Sequence, residues 1–123
     1  KCAAAGLALV PLIAPSTSLD RAAALAAGSA SPFLYVVLRL GVTGRRTEMD
    51  GASLERLAAL KALTGKYIAA GFGIREPSQV EALRGYADCA IVGSALVDAA
   101  RAAIEGGRDP AEAVGGLIRA LRQ

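Results

Sequence analysis

Three short segments hold the residues of this chain best suited to chemistry: Gly41-Val42-Thr43-Gly44, Gly71-Phe72-Gly73-Ile74 and Gly93-Ser94. Glycine lets a backbone come close to a phosphate, and the free N–H groups that open a helix complete an anion cradle with a favourable dipole. Gly93-Ser94 directly precedes an apolar, helix-like run, so its amides are placed for that role and the Ser94 hydroxyl adds a donor. The competing reading is plain turn chemistry, because every strand-to-helix connection favours glycine and one Gly-x-Gly says little. Three such loops in the same register, two of them flanking the last strand, favour the anion site.

Acid/base chemistry is harder to find. Of the eleven acids, Asp20, Glu55, Glu81, Asp98, Glu105 and Glu112 fall on expected exposed helix faces. Glu48 and Asp50 follow Gly44 and are the only acids expected near the glycine loops, where a mobile, solvated loop accounts for both. A general acid or base must be held within hydrogen-bond reach of the transferring proton, and neither residue has an evident support. Histidine is absent, and Cys2 and Cys89 form no CxxC pair, so no metal site is expected and a reducing compartment is the default.

The elements that must position these loops recur as short apolar runs about every 25 to 35 residues, each followed by an alanine-rich, charge-speckled segment. Strands are expected over Leu7 to Ala14, Phe33 to Leu38, Tyr67 to Gly71 and Cys89 to Val92. All are continuous rather than alternating, the pattern of parallel strands buried on both faces. Helices are expected over Ser18 to Ala27, with Ser18 as the N-cap; over Ser53 to Leu63; from Pro77 through Tyr86; over Ala95 to Ile104; and, after Asp109-Pro110, over Ala111 to Leu121. Strand–helix alternation means right-handed βαβ units and a parallel sheet. Half of a doubly wound sheet remains possible on this order, but it needs helices on both faces and a topological switch, and the placement of the glycine-bearing loops tips the balance to half of a TIM (β/α)8 barrel.

Bulk composition narrows the field further. The chain has 123 residues, the size of one modest domain, whereas a complete (β/α)8 barrel needs about 250. Prolines, charges and glycines interrupt every apolar run well short of the roughly 18 residues of a membrane span, so no membrane partner is expected. The net charge of +3 comes from scattered arginines without interleaved aromatics, which argues against nucleic acid. Lys1 to Gly6 reads as the end of a helix with its terminal glycine, so the domain is expected to be incomplete at its N-terminus.

Consecutive motifs make the reading specific. Leu12-Ile13-Ala14-Pro15-Ser16-Thr17, Phe33-Leu34-Tyr35 followed by Gly41-Val42-Thr43-Gly44, Ala69-Ala70-Gly71-Phe72-Gly73-Ile74, and Val92-Gly93-Ser94-Ala95-Leu96-Val97 resemble, in order and spacing, the signatures of the tryptophan synthase alpha subunit family. That resemblance implies a (β/α)8 barrel of which residues 1–123 are one (β/α)4 half. The family cleaves indole-3-glycerol phosphate to indole and glyceraldehyde 3-phosphate and passes indole to a pyridoxal-phosphate-bearing beta subunit. It implies no cofactor in this chain and a cytoplasmic setting. By the same resemblance Gly44, Gly73, Gly93 and Ser94 hold the substrate phosphate, Thr43 belongs to a closing loop, and Tyr35 and Phe72 line the indole pocket. For Tyr35 a core aromatic remains an equal reading.

The family's two catalytic carboxylates belong to the other half of the barrel, so the isolated chain is expected to be inactive. Leu38 stands where the family usually has serine, Leu40 where a small polar residue is common, Tyr67 where proline usually precedes the strand, and Arg75 where serine is frequent. Arg75 is expected either to strengthen anion binding or to be a surface residue at a helix start. Four strands alone leave two bare edges and an uncovered face, features that drive association. Two readings follow: a segment of a lyase that works once the other half is present, or a non-catalytic, self-associating half-barrel that at most binds phosphate.

Overall fold

The computed structural model describes residues 2–38, 50–71 and 73–122. Thr43, Gly44 and Phe72, with Gly41, Val42, Leu40 and Glu48, lie outside the described residues. A 3-10 turn at Ala3–Ala5 precedes β1 (Leu12–Ile13), α1 (Leu19–Ala27), β2 (Phe33–Val37), α2 (Gly51–Thr64), β3 (Tyr67–Gly71), α3 (Pro77–Ala82), β4 (Cys89–Ile91), α4 (Ser94–Glu105) and α5 (Pro110–Leu121). The strands form one sheet in the order β1-β2-β3-β4, all neighbours parallel.

The expected first strand shrinks from Leu7–Ala14 to two residues, and register explains why. Leu12 lies opposite Tyr35, so Val10 is level with the start of β2 and Leu7 to Leu9 run past it with nothing to pair. Pro11 has no N–H to give, and only its carbonyl joins the sheet, accepting from Tyr35 N at 2.9 Å. Helix α3 is also shorter than expected: it stops at Ala82, and Gly85 at φ +86° turns the chain before Tyr86.

Local capping fixes the helix ends. Ser18 Oγ accepts from Arg21 N at 3.2 Å to open α1, as its position implies. Helix α2 begins two residues earlier than expected because Asp50, not Ser53, is its N-cap, with Oδ1 accepting from Ser53 N at 2.8 Å. Asp50 is therefore a structural cap rather than a loose loop acid. Pro77 occupies the first turn of α3, and Asp109 caps α5 through Ala111 N at 2.8 Å.

Alternation along the strands separates two faces. Ile13, Leu34, Val36, Ile68 and Ala70 point to one side, where they pack with Ala22, Ala26, Leu57, Leu60, Ile74 and Leu83 in a single core. Each large side chain buried there contributes roughly 1.5–3 kcal/mol. The helix-facing core lies on one side only, so the doubly wound alternative is excluded. The other side carries the row Leu12, Tyr35, Ala69, Cys89 and the row Val37, Gly71, Ile91. There Leu12 is 57% exposed and Tyr67 64% exposed. The strands are thus not buried on both faces within this chain, despite their continuous apolar sequences. No helix among the described residues is long and apolar enough to cross a membrane.

Candidate functional site

All four strands point the same way, so the loops after β1, β2, β3 and β4 share one rim. That shared rim is where a parallel βα sheet presents its ligand-binding loops. At the end of β3 the chain needs glycine twice, for different reasons. Gly71 is closely packed: a Cβ there would stand 2.8 Å from Ile91 Cβ and 3.0 Å from Tyr35 Cε2. Gly73 is conformational, with φ +85°, a region that side chains disfavour.

The loop after Gly73 is held from below. Ile74 is buried in the core, and the buried Gln79, only 7% exposed, accepts from Arg75 N at 2.7 Å and Glu76 N at 3.0 Å through Oε1. Its Nε2 reaches back toward Gly73 O at 3.5 Å. Gln79 was not singled out in the sequence, although a Gln two residues after a first-turn proline is the spacing of a capping box.

At the end of β4, Gly93 is the N-cap of α4 and Ser94 its first residue. Leu96 N and Val97 N donate to Gly93 O at 3.0 and 3.2 Å, so the first intrahelical bonds begin there, and Ser94 N and Ala95 N have no acceptor within the helix. A Cβ built on Gly93 meets nothing within 4 Å, in contrast to Gly71. Neither packing nor a positive φ demands glycine at 93; what the residue leaves is open space over two helix-opening amides.

Tyr35 lies half-buried on the open face with its ring against Gly71, which places it beneath the rim rather than in the helix-facing core. Leu38, also half-buried, packs against that core, and its N–H donates to Gly71 O at 3.0 Å. The structure therefore brings Tyr35, Gly73, Gly93 and Ser94 to one end of the sheet.

Two arginines decide how the rim is braced. Arg75 Nη2 lies 2.6 Å from Asp98 Oδ2 on α4, so Arg75 is neither an unengaged surface residue nor a free anion donor. Arg56 on α2 donates through Nη2 to Ala14 O at 3.4 Å and to Thr17 O, clamping the turn after β1. That turn is also crossed by Ala14 N donating to Thr17 Oγ1 at 3.1 Å. Neither partnership was visible in the sequence, because each joins residues more than 20 positions apart.

The acids are exposed where the helices were expected to expose them. Asp50 caps α2, and its carboxyl is held below the usual range, first by the Ser53 side chain and then by the Ser53 N–H. Asp98 is committed to Arg75. Neither is free for proton transfer, and no cluster of three or more metal-ligating side chains occurs among the described residues. Among the described residues, the rim offers helix-opening amides and glycine backbone, while Asp50 and Asp98 are already engaged.

A family model described as tryptophan synthase alpha chain matches residues 1–122. The chain is similar to tryptophan synthase alpha chains of Lactiplantibacillus plantarum, 46% identical over 92 residues (75% of this chain, 34% of that protein), and Thermosynechococcus vestitus, 47% identical over 93 residues (75% and 35%). Its fold is similar to the alpha chain from Legionella pneumophila, with a TM-score of 0.76 at 29% identity, covering 96% of this chain and 42% of that one. It is also similar to a mutant alpha subunit from Pyrococcus furiosus, with a TM-score of 0.76 at 28% identity, covering 97% and 46%. The chain thus spans about a third of the length of these curated relatives.

Proposed function

The chain belongs to the tryptophan synthase alpha chain family, and from that premise we propose that it forms the phosphate-holding part of a (β/α)8 barrel that cleaves indole-3-glycerol phosphate to indole and glyceraldehyde 3-phosphate. The observation that carries this reading is at Gly93, where a Cβ would meet nothing within 4 Å and the amides of Ser94 and Ala95 that follow have no acceptor within their helix. A phosphate seated there gains those N–H groups and the helix dipole, with the Gly73 loop alongside. Gly44 joins the same cradle, Thr43 the loop over it, and Tyr35 and Phe72 the wall for the indole ring.

The division of labour follows from the acids on the described part of the rim. Asp50 and Asp98 are already engaged, so the carboxylates for proton transfer come from the remaining βα units of the barrel, and the described part binds and orients. Those units also cover the face on which Leu12 and Tyr67 are exposed. A pyridoxal-phosphate-bearing beta subunit that takes up indole is the partner in this reading, and the cytoplasm its setting.

The test is the cleavage of indole-3-glycerol phosphate with and without the rest of the barrel. The 123-residue chain alone is expected to show none, and the completed barrel to show activity. In the completed barrel Gly93→Val should raise KM at least tenfold with a smaller change in kcat, since it fills a phosphate site that serves ground state and transition state alike. Cleavage by the 123 residues alone, or an unchanged KM in Gly93→Val, sinks the proposal. A second reading rests on the exposed apolar face: kept without its covering units, the chain self-associates. A monomeric, cooperatively melting species in sedimentation would exclude it.

A further inference from the structure

We infer that the Arg75–Asp98 ion pair is a positioning device that fixes the two halves of the proposed phosphate cradle relative to each other; the inference rests on the phosphate site proposed above. Arg75 lies two residues after Gly73, and Asp98 lies about one turn after Ser94, so a single contact of 2.6 Å spans the Gly73 loop and the opening of α4. Both ends are rigid. Arg75 is anchored through its own N–H to the buried Gln79 amide, and Asp98 rides on α4, whose inner surface is seated by Ala95 and Ala103. Below the rim the strands are held by their ladder, Gly71 opposite Ile91, but that ladder ends where the loops begin.

The chemistry of the pair favours bracing over direct binding. A carboxylate on the second turn of α4 would oppose an anion at the helix opening, and the guanidinium neutralises it. An arginine reaches across the gap and holds a planar geometry that a short hydroxyl side chain cannot. Arg75 Nε is buried and has no hydrogen-bond partner among the described residues. A direct role for Arg75 on the anion is therefore the rival that an experiment must separate.

The experiment is a double-mutant cycle of Arg75→Ala, Asp98→Ala and both together, read in two ways on the purified protein. The first readout is the affinity for inorganic phosphate, followed by the amide shifts of Ser94 and Ala95. The second is hydrogen exchange at those amides without phosphate. The pair is partly exposed, 28% for Arg75 and 47% for Asp98, so its effect is modest. Each single variant should speed amide exchange about two- to fivefold, Arg75→Ala should weaken phosphate binding by a similar factor, and the double variant should be no worse in exchange than either single one. Tighter phosphate binding in Asp98→Ala with amide exchange unchanged would mean that the pair acts on the anion through charge and would overturn the positioning role. Exchange unchanged in all three variants would overturn it as well. Should the parent protein show no response to phosphate, the site itself fails, while the exchange cycle still decides whether the brace exists.

Discussion

The Tyr35 ring lies against Gly71 across the β2–β3 pair, with Cε2 3.0 Å from where a Gly71 side chain would begin. Ile91 closes the same space from β4, its Cβ at 2.8 Å. Three strands therefore meet at a point that admits no Cβ, directly beneath the Gly73 loop. Gly71→Ala is expected to destabilise the protein by about 1–3 kcal/mol, the usual cost of overpacking, and Gly71→Val by more. Urea unfolding measures it, and a neutral Gly71→Ala would show that the sheet yields there freely.

Arg56 should matter to the turn after β1 far more than to α2 itself. Arg56→Met keeps the aliphatic stem but removes the donors to Ala14 O and Thr17 O. Losing charged hydrogen bonds of this kind costs about 1–3 kcal/mol. Hydrogen exchange at Thr17 N, which bonds Ala14 O at 3.0 Å, should rise selectively, whereas exchange within α2 stays near its original rate.

Acid sensitivity follows from Asp88, at the opposite end of the sheet. It accepts from Lys61 Nζ at 2.7 Å and from Ile68 N at 2.8 Å, and these two contacts, Lys61 first, hold its carboxyl below the ordinary range. A depressed carboxyl gives stability that is full above its unfolded value near 3.9 and fades as pH falls through the lower folded value. Asp50, depressed by Ser53, acts with the same sign. Unfolding midpoints measured between about pH 6 and 2 should fall at the acid end, and Asp88→Asn should flatten part of that fall. A slope unaltered by Asp88→Asn would remove Asp88 from the account.

Cys89 offers a direct reading of whether the open face is covered. Its thiol is exposed on the row shared with Leu12, Tyr35 and Ala69, whereas Cys2 lies near the chain start, away from that row. In the 123-residue chain both thiols should react with a disulfide reagent at comparable rates, and in the completed barrel Cys89 should slow at least tenfold while Cys2 does not. Equal reactivity of Cys89 in both forms would place the covering units elsewhere.

Much of this was legible in the sequence because it depends on neighbours along the chain. Ser18, Pro77 and the Gly93-Ser94 junction declare helix starts by their own chemistry, and the four apolar runs declare strands. Asp50 was misread because capping depends on where a helix begins, and the residues before it gave no periodic signal. Leu7 to Leu9 read as strand because they are apolar, but pairing needs a partner at the same level, and β2 starts too late to provide one. Arg56 and the tie from Arg75 to Asp98 stayed hidden because their roles depend on residues brought close only by the fold, whereas Gln79 carried a local capping-box spacing that was passed over. Thr43, Gly44 and Phe72 rest on the resemblance alone.

The strand order β1-β2-β3-β4 bears on how the chain acquires its structure. Each of β2, β3 and β4 pairs with the strand made just before it, so each pairing closes a short stretch, such as the one from Leu12 to Tyr35. Closure entropy grows only slowly with length, and domains emerge amino end first during synthesis. These four strands can therefore be laid down in the order of translation, one unit on the last, and only the two edges, β1 and β4, are left to pair with the rest of the proposed barrel. Helix α5 docks back on α3 and α4, so it follows both. The rim then forms in the same sequence, and the Gly93 opening is its last part to be built.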